Sequence, residues 1–197
     1  NDRIIQYSKS KRYYSKNPLI TDAGMVHLKG LEKLRLLNVQ ETMVSDVGLV
    51  YIKTMPKMVE LYLERTNTSD EGLAHLAKCK ELKDIILNYT VVSDAGLKHL
   101  RNMKNIRYLK LKGTKITDAG IPHLLTLKKL ADIGLEGTEI TDVGLKKLSG
   151  VKRLRFLYLY DSKVTKEGVA AFKKANPAVI VICNEKGIVP MGELLGQ

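Results

Sequence analysis

A glycine recurs at every twenty-fourth position of this chain, and no other feature of the sequence constrains the fold as strongly. It stands at the same place in seven successive units: Gly24, Gly48, Gly72, Gly96, Gly120, Gly144 and Gly168. Aspartate stands two residues before this glycine in the first six units, and Lys166 replaces it in the seventh. Self-similarity at a fixed stride of this length is the signature of repeat proteins, in which each unit packs on its neighbour. The sequence therefore predicts a stacked array of repeats and not a single globular core.

Each unit joins the pattern of a short strand to that of a short helix. The shared pattern is LxxLxLxxTxxTDxGLxxLxxx, which is clearest at 106–124. Leu109 and Leu111 alternate with polar or aromatic neighbours, which indicates a strand with one buried face. Leu97 and Leu100 stand three residues apart, as on the buried side of a helix. Each unit is therefore expected to bury its strand and its helix against the next unit.

Recurring polar residues and the recurring glycine are expected to support this stack. A hydroxyl residue after each strand should bond the backbone of its own turn and of the next unit, inside the core: Thr42, Thr66, Thr90, Thr114, Thr138 and Ser162. Thr117 and Asp118 should begin a helix, with the threonine as N-cap and the aspartate facing the positive end of the helix dipole. The recurring glycine is expected because the first helical turn approaches the sheet closely.

These units resemble the leucine-rich repeat family, in particular the subtypes with a TDxGL signature that occur in bacterial and F-box-associated proteins. The resemblance covers about 20–185, nearly the whole chain. It implies an α/β solenoid that forms a right-handed horseshoe arc. A parallel sheet of about seven strands would line its concave face, with short helices on the convex side. It also implies that partners bind chiefly through the concave face. The family's usual interior asparagine is threonine or serine here, a variation that the fold accommodates.

The two ends depart from the repeat. Residues 1–17 contain a degenerate unit, with Tyr13 and Ser15 where core aliphatic residues would fall, and are predicted to form an N-terminal cap. Residues 18–185 are predicted to form the solenoid. Residues 186–197 include an apolar segment at 188–195 and are predicted to be a C-terminal cap or tail. Terminal repeats need such covering, because a unit buries its core only against a neighbour.

Strand residues that point away from the core should form three columns, because all units share one phase. The first column is Leu36, Glu60, Asp84, Tyr108, Asp132, Phe156 and Ile180. The second is Asn38, Tyr62, Ile86, Lys110, Gly134, Tyr158 and Ile182. The third is Gln40, Glu64, Asn88, Lys112, Glu136, Tyr160 and Asn184. Neighbours within a column should lie about 4.8 Å apart, the spacing of paired strands.

An aromatic row on this face predicts a partner-binding site. Phe156, Tyr158 and Tyr160 fall in one strand beside Ile180 and Ile182, as expected of an interaction hot spot. Two alternatives remain open: the C-terminal tail folds back over this row as a cap, or the rings serve only to stabilise the sheet through cross-strand pairs. The predicted partner-binding residues are Tyr62, Glu64, Tyr108, Lys110, Lys112, Asp132, Glu136, Phe156, Tyr158 and Tyr160.

A notch is expected next to this row. Gly134 has no side chain, so a gap should open between Lys110 and Tyr158, with Asp132, Glu136 and Lys112 at its rim. A side chain of the partner would fit there.

Basic residues gather where each helix returns to the next strand. They are Lys33, Arg35, Lys57, Lys80, Lys83, Lys104, Arg107, Lys128, Lys129, Lys152, Arg153 and Arg155. Stacking would make one long edge basic, and such an edge can follow a row of phosphates. The alternative is that these residues complement helix dipoles and keep the protein soluble. The candidate residues for an anionic partner are Lys104, Arg107, Lys128, Lys129, Lys152, Arg153 and Arg155.

Metal binding and catalysis are not expected. His27, His75, His99 and His123 share a column, but successive helices pack about 8–10 Å apart, too far for two of these imidazoles to share one zinc ion. They are predicted to be half-exposed helix residues. The sequence contains no phosphate-binding glycine loop, nucleophile elbow or calcium-binding loop. We therefore expect no enzymatic activity, no cofactor and no small-molecule substrate.

The two cysteines give an indication of the cellular compartment in which the protein works. Cys79 and Cys183 stand far apart at repeat positions otherwise held by Leu, Val or Met, which predicts buried free thiols. Extracellular leucine-rich repeat proteins usually carry cysteine clusters at their caps, so their absence favours a reducing, intracellular compartment. No apolar run is long enough for a membrane span or resembles a signal peptide. The sequence begins at Asn1 and not at Met, which leaves three alternatives open: an excised domain, a processed product, or a trimmed chain that lacks its targeting segment.

Charge and pattern together leave three functional hypotheses. The leading one is a protein-interaction module that binds a protein or peptide on its concave face. The formal net charge of +12, from 33 basic against 21 acidic residues, favours acidic partners. The second hypothesis is therefore a basic edge that binds nucleic acid or an anionic membrane surface. The third is a recognition subunit of a larger ligase-type assembly.

Overall fold

Seven short strands form one parallel sheet in chain order, β1-β2-β3-β4-β5-β6-β7. The computed structural model describes residues 19–183, so the predicted N-terminal cap at 1–17 and the C-terminal tail at 186–197 lie outside the described residues. The strands are β1 Leu36–Asn38, β2 Glu60–Tyr62, β3 Asp84–Ile86, β4 Tyr108–Lys110, β5 Asp132–Gly134, β6 Phe156–Tyr158 and β7 Ile180–Ile182. In every pair of neighbouring strands, each residue is opposite the one that stands 24 positions further along. The predicted stride is therefore the register of the sheet.

Short helical segments connect the strands. The α-helices are α1 Asp22–Met25, α2 Asp46–Leu49, α3 Asp70–Ala74, α4 Asp94–Leu100, α5 Ile121–Leu124, α6 Asp142–Leu148 and α7 Lys166–Ala175. Three of them continue as 3-10 turns, at Val26–Leu28, Val50–Thr54 and His75–Lys78. Hydroxyl N-caps begin most of them, as in α4, where the Ser93 side chain accepts a hydrogen bond from the Ala95 N–H.

The predicted helix start at Asp118 is wrong, because α5 begins only at Ile121. The Thr117 hydroxyl nevertheless accepts a hydrogen bond from the Ala119 N–H at 3.2 Å, as predicted of a cap. In an α-helix that started at Asp118, the Asp118 carbonyl would accept the N–H of the residue four positions further on. That residue is Pro122, which has no N–H. The Asp118 carbonyl instead accepts a hydrogen bond from Lys147 Nζ at 3.2 Å. A turn over residues 118–120 takes the place of the missing helical start.

The core is a continuous stack of aliphatic side chains between the sheet and the helices. Leu97, Leu100, Leu109 and Leu111 are fully buried, as the repeat pattern predicts. Both cysteines are buried thiols, also as predicted. Burial raises the pKa of the Cys79 thiol to about 11, so this group stays protonated at neutral pH.

The buried hydroxyl column bonds within its own units. Thr114 Oγ1 donates to the Leu111 carbonyl at 2.6 Å, and the corresponding bond recurs from Thr42 to Ser162. The prediction that these hydroxyls also bond the next unit is wrong, because each points back to the carbonyl three residues before it. Another column provides the polar links between units.

The aspartates at the helix starts make those links. Asp70 Oδ1 accepts the Ser93 N–H at 2.7 Å, and Asp70 Oδ2 accepts the Ser93 hydroxyl at 2.6 Å. Ser93 is the N-cap of the following helix, so each carboxylate holds the start of its successor. The same pair of bonds joins Asp22 to Ser45, Asp46 to Ser69, Asp94 to Thr117, Asp118 to Thr141 and Asp142 to Thr165. We call these six carboxylates and their partners the aspartate ladder.

The aspartate ladder also explains the recurring glycine. A Cβ atom on Gly96 would lie 2.3 Å from Asp70 Oδ1, closer than non-bonded atoms approach one another. The corresponding distance is 2.3 Å for Gly120 and 2.2 Å for Gly144. The expectation that the sheet demands the glycine is therefore wrong: the carboxylate of the preceding unit occupies the space. The aspartate and glycine columns are two halves of one contact.

Candidate functional site

The three predicted columns lie side by side on the strand face of the sheet. Tyr108, Asp132 and Phe156 are opposite one another on β4, β5 and β6, and so are Lys110, Gly134 and Tyr158. The third column follows the strands and stays in line, because backbone bonds continue the ladder there, as from the Gly113 N–H to the Glu136 carbonyl. Asn184 lies outside the described residues. We call this surface the concave face.

The notch predicted at Gly134 is filled, so that prediction is wrong. The Lys110 side chain crosses over Gly134 and brings Nζ to 2.5 Å from Asp132 Oδ1 and 3.7 Å from the centre of the Tyr158 ring. A Cβ on Gly134 would lie 2.9 Å from Lys110 Cδ and 2.7 Å from Glu136 Oε2. The glycine therefore makes room for a lysine of the same protein. The sequence did contain a signal for this contact, because Gly134 stands between Lys110 and Tyr158 in the second column.

A charged cluster thus occupies the middle of the concave face. Asp132 is 7% exposed and is the only acidic or basic residue between 19 and 183 that is buried. Lys110 neutralises it. Beside them, the Glu136 Oε2 atom is buried without a hydrogen-bond partner among the described residues. Burial, together with Asp132, Glu136 and Tyr160, raises the pKa of Tyr158. This cluster holds the Tyr158 ring in place on the face.

The predicted aromatic row lies on the concave face. Phe156, Tyr158 and Tyr160 are half-buried. Tyr108 and Ile180 are more open, at 45% and 47% exposure. The residues that would cover this row as a C-terminal cap lie outside the described part of the chain. Within the described part, the row presents aromatic and aliphatic surface to solvent.

The N-terminal half of the concave face is acidic. The Tyr62 hydroxyl donates to Glu60 Oε2 at 2.9 Å, and Asp84 is opposite Glu60 in the sheet. Burial, the hydrogen bond to Glu60 and the two carboxylate charges raise the pKa of Tyr62 to about 12. Burial and the Glu60 charge also raise the pKa of Asp84. Glu64 bonds Asn88 in the next unit, at 3.2 Å.

Tyr62 is expected to ionise at a higher pH than an ordinary tyrosine. Its pKa of about 12 lies above the value of about 10 for an unfolded chain, so unfolding releases a proton between these pH values. Stability that depends on this group is complete below pH 10 and is lost as the pH rises towards 12. Urea denaturation at pH 9 and pH 11 should therefore show a smaller loss of stability in Tyr62→Phe than in the wild type. An equal loss in both proteins would contradict the assignment.

One contributor to the concave rim escaped the sequence analysis. Tyr89 has a positive φ of 56° and lies between two cations, with Arg65 at 4.2 Å and Lys112 at 5.6 Å from its ring centre. A Cβ on Gly113 would lie 2.6 Å from Cδ1 of this ring, so the ring occupies the space beside a glycine. Tyr89 belongs to the turn after the strand, where the period-two pattern no longer indicates the direction of a side chain.

The basic residues lie along one edge, and all twelve are exposed. Five of the seven candidates for an anionic partner surround one cavity of about 490 Å³, namely Arg107, Lys129, Lys152, Arg153 and Arg155. Lys104 and Lys128 do not line it, and Lys128 Nζ instead donates to the Leu125 carbonyl. The cavity lies beside the starts of β4, β5 and β6, next to the aromatic row.

The column of histidines stays on the helical surface, with His27 exposed and the other three half-buried. Across residues 19–183, His, Cys, Asp and Glu side chains nowhere gather in the groups of three that could hold a metal ion. In the same range, every helix is too short or too polar to cross a membrane.

Solved structures share this architecture. Internalin C2 from Listeria monocytogenes matches with a TM-score of 0.63 over 86% of this chain and 78% of its own length, at 18% sequence identity. The chain has a leucine-rich repeat solenoid fold. A second Listeria internalin, internalin F, matches with a TM-score of 0.61 over 80% of this chain, at 15% identity. A leucine-rich repeat protein of Leptospira interrogans matches with a TM-score of 0.50 over 77%, at 16% identity.

Identities this low establish the fold alone. This chain matches 49% of the length of internalin F and of the Leptospira protein, about half of each. No protein-family profile and no curated protein sequence matches it. The assignment to the TDxGL subtype therefore stays a prediction from the repeat pattern.

Proposed function

We propose that this leucine-rich repeat solenoid is a protein-interaction module that binds a protein or peptide on its concave face. The observation that carries the proposal is the aromatic row of Phe156, Tyr158 and Tyr160, which lies on the sheet and faces solvent within the described part of the chain. Aromatic residues dominate the binding energy of protein interfaces, because they bury a large area with few rotatable bonds. The module acts by binding and not by catalysis.

The rest of the face supports such a site. The cation–π contact with Lys110 and the Lys110–Asp132 ion pair fix the Tyr158 ring before any partner arrives. A ring that is already fixed loses little entropy on binding. Exposed Tyr108 and Ile180 lie on either side of the row. A seven-stranded face provides room for the roughly 800 Å² that each partner buries in a typical specific interface.

The site is tested by a double substitution, Phe156→Ala with Tyr158→Ala. A partner is first isolated with the wild-type protein and identified by mass spectrometry, and its affinity is then measured by calorimetry with purified components. We expect the double variant to weaken binding at least about thirtyfold, the equivalent of one hot-spot residue. The matched control is Leu36→Ala with Asn38→Ala, which changes the same two columns on β1. Unchanged affinity in the β6 variant would refute the proposed site.

The basic edge supports a second candidate function, the binding of an anionic partner such as nucleic acid or an anionic membrane surface. The observation in its favour is the convergence of five cations on one cavity. If this is the main function, retention on heparin falls steeply with salt. It should also be lost when Lys128, Lys129, Lys152 and Arg153 are reversed in charge.

A further inference from the structure

An alanine interrupts the column of residues that precede the strands. This column contains Arg107, Ala131 and Arg155 in three successive units. The Ala131 N–H donates to the Arg107 carbonyl at 2.9 Å, and the Arg155 N–H donates to the Ala131 carbonyl at 2.8 Å. Adjacent strands are about 4.8 Å apart, so the backbones of the two arginines are separated by roughly 10 Å. Between the two arginines lies only the methyl group of Ala131, and the space above this small side chain forms the cavity.

Cations line the cavity and carboxylates do not. Besides the two arginines, the lining consists of Lys129, Lys152, Arg153, Tyr108, Ala131 and Leu154. Among residues 19–183, none of the five cations lies within 4.0 Å of a carboxylate oxygen. Lys129 Nζ donates to Asn105 Oδ1, and the Arg155 guanidinium lies 5.8 Å from the Phe156 ring centre. Five positive charges around one cavity whose lining contains no carboxylate favour the binding of an anion there.

The chemistry of the lining selects an oxyanion. Guanidinium groups present paired N–H donors that match two oxygens of one phosphate, and the lysines add charge without fixed direction. The cavity, of about 490 Å³, is open to solvent on one side and has room for a phosphate group. A phosphate group with two negative charges therefore suits this site better than a single carboxylate does.

The position of the cavity indicates how the phosphate arrives. Tyr108 lines the cavity and also belongs to the first column of the concave face. We propose that the cavity binds a phosphate group carried by the protein partner that lies on the concave face, an inference that rests on the function proposed above. The phosphorylated side chain reaches over Tyr108 into the space above Ala131. The flanking peptide lies on the aromatic row.

A long polyanion fits this surface less well. Along the edge, Val59 replaces the cation in the column of Arg107, and Lys57 is already paired with Glu81 at 2.7 Å. On the adjoining face, Glu60 and Asp84 repel negative charge. The cations form a local site and not a continuous track, so one phosphate group fits better than a nucleic acid strand.

The test uses three variants of the full chain. Arg107→Gln with Arg155→Gln removes the two walls of the cavity. Arg35→Gln with Lys83→Gln removes the same charge from the same column, where Val59 fills the gap. Ala131→Arg adds a positive charge but fills the cavity, and the neighbouring arginines show that this position accepts the residue. The probes are inorganic phosphate and a synthetic peptide whose phosphoserine is its one charged side chain, compared with its unphosphorylated twin. Binding is measured by calorimetry and, in the proteins that keep Ala131, by NMR shifts of the Ala131 amide.

We expect inorganic phosphate to bind and to compete with the phosphopeptide, and the unphosphorylated twin to bind at least about tenfold more weakly. Replacement of Arg107 and Arg155 by Gln should lower phosphopeptide affinity at least about tenfold. Replacement of Arg35 and Lys83 by Gln should lower it less than about twofold, because these two residues do not line the cavity. Ala131→Arg should abolish binding although the net charge rises. General electrostatic attraction predicts the opposite result for Ala131→Arg, and that result would overturn the proposal.

Two further outcomes separate the alternatives. A single-stranded oligonucleotide that binds more tightly than the phosphopeptide, and that loses affinity equally in both charge-removing pairs, would overturn the proposal in favour of a polyanion. An isolated partner that still binds Ala131→Arg but not the Phe156 and Tyr158 variant would refute the phosphate site and leave the concave-face function intact. A phosphopeptide that binds in the cavity while the Phe156 and Tyr158 variant keeps its full affinity for the partner would refute the concave face alone.

Discussion

Gly96→Ala is expected to lower the free energy of unfolding by about 2–4 kcal/mol, although the change adds only one methyl group. The new Cβ would lie 2.3 Å from Asp70 Oδ1. That carboxylate cannot move aside, because it accepts both the Ser93 N–H at 2.7 Å and the Ser93 hydroxyl at 2.6 Å. The substitution therefore costs one of these bonds or forces the two units apart. Chemical denaturation of the purified variants measures the effect.

The matched control is Gly24→Ala, in the first unit. Among the described residues, no atom lies within 4 Å of a Cβ on Gly24. Alanine is about 0.8–1 kcal/mol better than glycine inside a helix, so this variant should be unchanged or slightly more stable. Adding Asp70→Ala to Gly96→Ala should cost less than the sum of the single changes, because the clash disappears with the carboxylate. Equal losses in Gly24→Ala and Gly96→Ala would refute the explanation.

Lys110→Met is expected to lower the free energy of unfolding by about 2–4 kcal/mol, because it leaves a buried carboxylate without its cation. The side chain of Asp132 is only 10% exposed, and Lys110 Nζ lies 2.5 Å from it. The double variant Lys110→Met with Asp132→Asn should recover most of the loss, since no isolated charge remains. Urea denaturation of the two single variants and the double variant gives the coupling energy between the two residues.

An exposed ion pair provides the comparison. Lys57 and Glu81 lie as close, at 2.7 Å, but their side chains are 59% and 42% exposed. Solvent screens such a pair, so Lys57→Met should destabilise the protein far less than Lys110→Met does. If Lys57→Met and Lys110→Met prove equally destabilising, burial is not what makes the Lys110–Asp132 contact important.

The sequence alone predicted the architecture, because a repeat fixes phase over the whole chain. The 24-residue stride that separates Gly96 from Gly120 also sets the pairing of Tyr108 with Asp132 in the sheet. The inward and outward directions of strand residues follow from that register. The burial of Leu109 and Leu111 and the composition of the first two outward columns were predictable in this way.

The ends of long or polar side chains were not predictable from phase. Lys110 belongs to the expected column, but its flexible stem takes the ammonium across Gly134 to Asp132 and Tyr158. Asp70 belongs to the expected helix start, but its carboxylate serves Ser93 in the next unit. In both cases the partner is 22 or 23 residues away, and a pattern within one unit does not reveal it. The late start of α5 depended on a single proline.

The aspartate ladder means that no unit is complete by itself. Each carboxylate is contributed by one copy and used by the copy after it, so the boundary of the repeated sequence does not coincide with the boundary of the structural building block. Insertion or loss of a whole copy keeps every donor matched to an acceptor, whereas a partial copy leaves one donor and one acceptor unpaired. Lengthening or shortening of such an array is thereby restricted to integral steps, and a defect at one junction uncouples the segments on either side of it.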